Sequence, residues 1–171
     1  MTRLIVCIAA CLIGVGKLGA QPVSFSVRGD TAKGSHSCGA REGVQAISQW
    51  FVAFNAADSS KLDKATASRF VFSTGRFTHG EPFFVTHNMP TLLRYARKRS
   101  RHRERMRVQE VWFNGWRDGG LQFGPIYFMR SADDLGANPL PGVGKGTYRC
   151  GDGVWVLNVG PRPDLDPGPL K

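Results

Sequence analysis

The sequence predicts an α+β domain in which helices come first and one antiparallel sheet follows. Three observations carry this. Val44, Ile47, Phe51 and Phe54 recur at helical spacing near the N-terminal end. From Arg105 onward the spacing changes to the two-residue alternation of strands. Asp118-Gly119-Gly120 and Gly151-Asp152-Gly153 then mark tight turns between neighbouring strands. At 171 residues, 42% hydrophobic and 21% charged, the chain has the length and composition of one globular domain, and disorder throughout is excluded.

Met1-Thr2-Arg3 supplies a positive charge, and Leu4 to Gly16 is an apolar run of 13 residues that ends at Lys17. With Leu18-Gly19-Ala20 behind it, this reads as a signal peptide over residues 1–20. The run is shorter than the roughly 18 residues of a membrane span. The expected location is secreted or extracytoplasmic. Ile8-Ala9-Ala10-Cys11 also has the look of a bacterial lipobox, so a lipid anchor at Cys11 is the alternative. Residues 21–40 are polar and read as a flexible linker. Their Arg28-Gly29-Asp30 tripeptide is too short a match to carry a function.

The domain itself is expected over 41–160. The amphipathic stripe, widened by Trp50, predicts a helix over 41–57, and Ser60 to Asp63 resembles a capping box opening a short second helix. Arg69 to Phe77 is aromatic and β-branched and predicts a strand, with a loop over 78–86. Asn88 caps a third helix that tolerates Pro90 in its first turn and buries Leu92, Leu93 and Ala96. Arg105 to Trp116 follows as a strand with Met106, Val108, Glu110 and Trp112 on one face and Arg105, Arg107 and Gln109 on the other. Leu121 to Arg130 is the next, and its Pro125 demands an edge or a bulge. A loop over 132–143 leads to a hairpin of Lys145–Cys150 and Val154–Val159, and 161–171 is a Pro-rich tail expected to be disordered.

Of four cysteines, Cys7 and Cys11 belong to the leader. Cys38 and Cys150 remain as an even pair in an oxidising compartment and are expected to form a disulfide. The net charge is +10, lowered by two when Arg3 and Lys17 leave with the leader. Much of it lies between Arg94 and Arg107. Arg94, Arg97, Arg99, Arg101 and Arg103 are candidates for binding an anionic surface. Tyr95 is the one aromatic interleaved in this run, which argues against nucleic acid as the partner.

The opening helix VQAISQWFVAFNAAD, the strands RVQEVWFNGW and LQFGPIYFMRSADDL, and the closing GKGTYRCGDGVWVLNVGP resemble the nuclear transport factor 2-like superfamily, also called SnoaL-like or cystatin-like. The resemblance covers Gly43 to Pro161 and is nearest to secreted bacterial members. It implies a cone-shaped, strongly curved, mostly antiparallel sheet packed against about three helices. It also implies a pocket inside the cone and a homodimer through the sheet. Enzymes of the superfamily place a Tyr on the opening helix and an acid on the first strand, or a His pair with Tyr and Asp, or an Asp-Arg-Asp set on the strands. Here the opening helix has no Tyr, residues 69–77 have no acid, His79 and His87 fall in the expected loop, and Arg130 and Asp133 sit at a strand end.

These departures favour a non-catalytic binding or accessory domain with an apolar pocket for a small molecule, requiring no cofactor and no metal. Trp50, Phe54, Trp112, Asn114 and Tyr127 are the expected pocket lining. The alternative is an isomerase, dehydratase or hydrolase using Glu110. Sharing a face with Met106, Val108 and Trp112, that carboxyl would lie in apolar surroundings that raise its pKa. His79, Glu81 and His87 lack the further ligand that a metal site would need.

Overall fold

The computed structural model describes residues 23–29, 38–78 and 81–161, so the leader and the tail lie outside the described residues. Strand β1 (Ser24–Val27) is followed by helices α1 (Ala40–Asn55) and α2 (Ser59–Ala65). Next come β2 (Thr66–Thr78), β3 (Glu81–His87), helix α3 (Met89–Arg101) and the strands β4 (Arg105–Arg117), β5 (Gly120–Ser131), β6 (Leu140–Arg149) and β7 (Gly153–Pro161). Among the described residues one seven-stranded sheet runs β1-β4-β5-β6-β7-β2-β3. It is antiparallel except where β1 joins β4 and β2 joins β7. This is the expected α+β architecture: three helices against an open, curved, mostly antiparallel sheet.

The helices begin where local chemistry directs them. Glu42 reaches back to the Gly39 N–H at 3.1 Å ahead of α1, the Asp58 carboxylate accepts from Lys61 N at 3.0 Å ahead of α2, and Asn88 Oδ1 accepts from Thr91 N at 3.1 Å ahead of α3. At the other end of α1 the Asn55 amide stands in for a neighbouring strand. It donates to Met106 O at 2.8 Å and accepts from Met106 N at 2.9 Å, which fixes where β4 starts beneath the helix.

The core lies between the helices and one face of the sheet. α1 contributes Ile47, Trp50, Phe51 and Phe54, α2 Leu62, and α3 Leu92 and Ala96. The central strands contribute Val111, Phe113, Leu121, Phe123, Ile126, Phe128, Val154 and Leu157. Burial of one such large apolar side chain is worth roughly 1.5–3 kcal/mol. The sheet approaches itself closely at Gly142, where an added Cβ would lie 2.3 Å from the Phe128 ring. The turn at Asp118-Gly119 has φ of 52° and 72°, the left-handed geometry that closes a two-residue hairpin. Pro125 is accommodated by a register break between Phe123 and Ile126, with a cis Gly124–Pro125 bond, in keeping with the bulge it demanded.

Cys38 and Cys150 form a disulfide with Cα atoms 5.7 Å apart. It fastens the entrance to α1 to the β6–β7 turn.

Three expectations need correction. The expected loop over 78–86 contains β3: Phe83, Phe84 and Val85 favour a strand, and Pro82 is tolerated because β3 is the last strand of the sheet. The expected linker contains β1, whose Ser-Phe-Ser-Val alternation pairs in parallel with Glu110 to Phe113. Finally, Glu110 and Trp112 do not share a face with Met106 and Val108. A register shift between Val108 and Glu110 inserts one residue and reverses the alternation. Met106, Val108, Val111 and Phe113 face the core, while Glu110, Trp112 and Asn114 face the other side.

Candidate functional site

The register shift in β4 divides the expected pocket residues between two surfaces. Trp50 and Phe54 lie on the helix-covered side, 0% and 1% exposed. Trp112, Asn114 and Tyr127 lie on the opposite side of the sheet. There Arg28 stacks 3.8 Å above the Trp112 ring, Asn114 Nδ2 donates to Gly124 O at 2.8 Å, and Tyr127 stands beside Glu110 in the pairing of β4 with β5. Glu110 is half-buried and accepts from Ser26 Oγ at 3.0 Å. The five residues therefore do not line one pocket, and Glu110 does not face the apolar interior.

On the helix-covered side, aromatic rings form a continuous series. Trp50 stacks on Phe54 at 5.4 Å between centroids, Phe54 meets Tyr95 at 5.7 Å, and Tyr95 stacks on His87 at 5.1 Å with the planes 29° apart. Helical spacing explains the series: Trp50 and Phe54 are four residues apart on α1, and Tyr95 shares the inward side of α3 with Leu92 and Ala96. His87, expected in a loop, is the final residue of β3 and is buried. His79 lies outside the described residues, and among those described no cluster of His, Cys, Asp or Glu has the make-up of a metal site.

Beyond Tyr95 the series turns polar. Arg130 Nη2 lies 3.5 Å from Tyr95 Oη. Arg130 also forks onto Glu104, with Nε donating to Oε1 at 2.6 Å and Nη2 to Oε2 at 3.2 Å. Glu104 is 2% exposed and accepts a second guanidinium from Arg99 Nε. Arg99 in turn makes a double bond-pair to Asp134, 2.7 Å at each nitrogen. The Arg99 hydrogen bonds pull the Asp134 carboxyl down to about 2, and the same bonds, ahead of those to Glu104, hold Arg99 above its ordinary value. Burial works against the charged form of Arg130, but its bonds to Glu104 and the nearby Tyr95 outweigh burial and raise it. With both carboxylate oxygens engaged, Glu104 ties Arg99 and Arg130 together.

Of the basic candidates, Arg94, Arg97 and Arg101 are exposed on α3. Arg99 is buried in the ion cluster, and Arg103 pairs with Asp133 at 2.9 Å. Arg99 had a legible signal, since it follows Leu92 and Ala96 at the spacing of one helix face. Tyr95 had the same signal. The partnership of Arg130 with Glu104 and Tyr95 had none.

The sequence matches no family model and no curated protein. Solved structures do match. A protein of unknown function with a cystatin-like fold from Nostoc punctiforme superposes with a TM-score of 0.53 at 10% identity, over 73% of this chain and 92% of that one. A second cystatin-like protein of unknown function, from Methylobium petroleophilum, gives 0.51 at 10% identity, over 67% and 72%. An Anabaena orange carotenoid protein binding canthaxanthin gives 0.53 at 13% identity over 81% of this chain, which spans only 39% of that protein's length. The chain has the cystatin-like fold.

Proposed function

We propose that this chain is an exported, non-catalytic domain that binds an apolar, ring-bearing small molecule on the helix-covered side of its sheet. The observation that carries the reading is the aromatic series Trp50–Phe54–Tyr95–His87, in which half-buried Tyr95 also abuts a charge-balanced cluster through Arg130. Tyr95, the half-buried member of this otherwise buried series, offers a ring for stacking beside the polar atoms of Arg130, a make-up that suits a small-molecule site. The position of Glu110, on the other side of the sheet and bonded to Ser26, supports binding over an isomerase, dehydratase or hydrolase working through that residue. The canthaxanthin of the orange carotenoid protein supports an extended apolar ligand. The disulfide fits an oxidising compartment and so supports export; no helix among the described residues is long and apolar enough to cross a membrane.

Titration with 1-anilinonaphthalene-8-sulfonate and with canthaxanthin, followed by fluorescence and absorbance, tests the reading. Saturable binding is expected. Tyr95→Ala should weaken it about three- to tenfold, the worth of one aromatic contact, while Trp112→Ala on the opposite face leaves it unchanged. Absence of saturation with both probes, or dependence on Trp112 and not on Tyr95, rejects the reading.

A further inference from the structure

Arg94, Arg97, Lys98 and Arg101 stand at i, i+3, i+4 and i+7 of α3, and all four are exposed. At 3.6 residues per turn they occupy about 100° of the helix and about 10 Å of its length. Leu92, Ala96 and Arg99, the buried residues of the same helix, lie on the opposite side. The nearby carboxylates are engaged elsewhere: Glu104 holds Arg99 and Arg130, Asp134 holds Arg99, and Asp133 holds Arg103. Among the described residues none of the four ridge cations meets a carboxylate. Like charges at these spacings repel one another, and the C-terminal dipole of α3 offsets the repulsion only near its end. The ridge is nevertheless held in place, by the Asn88 cap at one end and by the Arg99–Asp134 pair at the other.

From this we infer that the α3 ridge is a docking surface for an anionic lipid bilayer. Charge complementarity selects an anion, and the shape selects a flat one. The ridge runs along the outside of a helix, and its neighbouring aromatic, Tyr95, is turned inward onto His87 and Phe54, so no platform for stacking bases is presented. Among the described residues the exposed large apolar side chains, Phe25, Val27 and Val52, all lie off α3, so the contact through the ridge is electrostatic, shallow and reversible. This surface is separate from the aromatic series, and either can operate without the other.

The test is co-sedimentation of the full chain with vesicles of about one-third phosphatidylglycerol in phosphatidylcholine, beside pure phosphatidylcholine vesicles and a single-stranded oligonucleotide. Binding to the anionic vesicles alone is expected, with a marked loss as NaCl rises from about 50 to about 200 mM. Arg97→Ser with Lys98→Ser should weaken partitioning about fivefold per residue, from about 1 kcal/mol for each cation at the surface. Arg97→Lys with Lys98→Arg retains it, as does Arg103→Ser combined with Asp133→Ser, which removes a matched pair and leaves the net charge unchanged. Unaltered melting temperatures show that loss of binding is not loss of fold. Equal binding to neutral vesicles, insensitivity to the double Ser variant, or tighter binding to the oligonucleotide overturns the inference.

Discussion

Glu104 is flanked by two guanidinium groups at a position 2% exposed. Removing its charge leaves Arg99 and Arg130 facing each other with half their partners gone. Glu104→Gln is therefore expected to cost about 3–5 kcal/mol, the usual penalty for breaking a buried ion pair from one side, measured by urea denaturation. Asp134 makes a smaller, pH-dependent contribution. Its folded pKa, about 2, lies below the ordinary 3.8, so the ionised form stabilises the fold above about pH 4 and that stability is lost as the pH falls through 2. Arg99 is the main cause; Asp134 also lies 3.8 Å from His102 Nδ1. Thermal melts from pH 5 down to pH 2 should show a fall in the melting temperature that Asp134→Asn flattens. At this scale the sequence was only half legible. The burial of Arg99 follows from its helical phase, whereas its partner stands 35 residues away and is joined to it only by the fold.

Among the elements, helices were the more legible, because caps and apolar stripes are local. Asn88, Pro90 and Leu92 identify α3, and the α1 stripe places its helix within two residues of its observed ends. Strand faces were less so. The alternation of β4 is sound on either side of Glu110, but one inserted residue exchanges the two faces, and nothing in RVQEVW marks the break. That single residue separates Glu110 from the aromatic series and divides Trp112, Asn114 and Tyr127 from Trp50 and Phe54. β3 was obscured for another reason: Pro82 signals a loop unless the strand is known to be at the edge. Close packing between elements gives the next prediction. Gly142→Ala would press a methyl group into the buried Phe128 ring and should destabilise the protein by about 1–3 kcal/mol, read as a lower denaturation midpoint at constant m.

For the molecule as a whole, the disulfide closes 112 residues of chain, nearly the entire domain. The chain-entropy account assigns such a loop about 4–5 kcal/mol of stability. Urea denaturation with and without reductant should differ by up to that amount, and Cys38→Ser with Cys150→Ser should reproduce the reduced protein. The cone was legible here as a resemblance spread over several segments, and the pairing of Cys38 with Cys150 from their number. The sheet order was not, since both of its parallel pairings join strands far apart in the chain.

That order has a consequence for how the chain comes together. Strands β4 to β7 follow one another and pair as a meander, whereas β1, β2 and β3 come from far upstream to form the two flanks. Neighbouring segments meet with less loss of chain entropy than distant ones. β2 and β3 can pair with each other at once, but β1 has no β4 and β2 has no β7 to join until residues 105–161 have been made, so the seven-stranded sheet closes only when the chain is nearly complete.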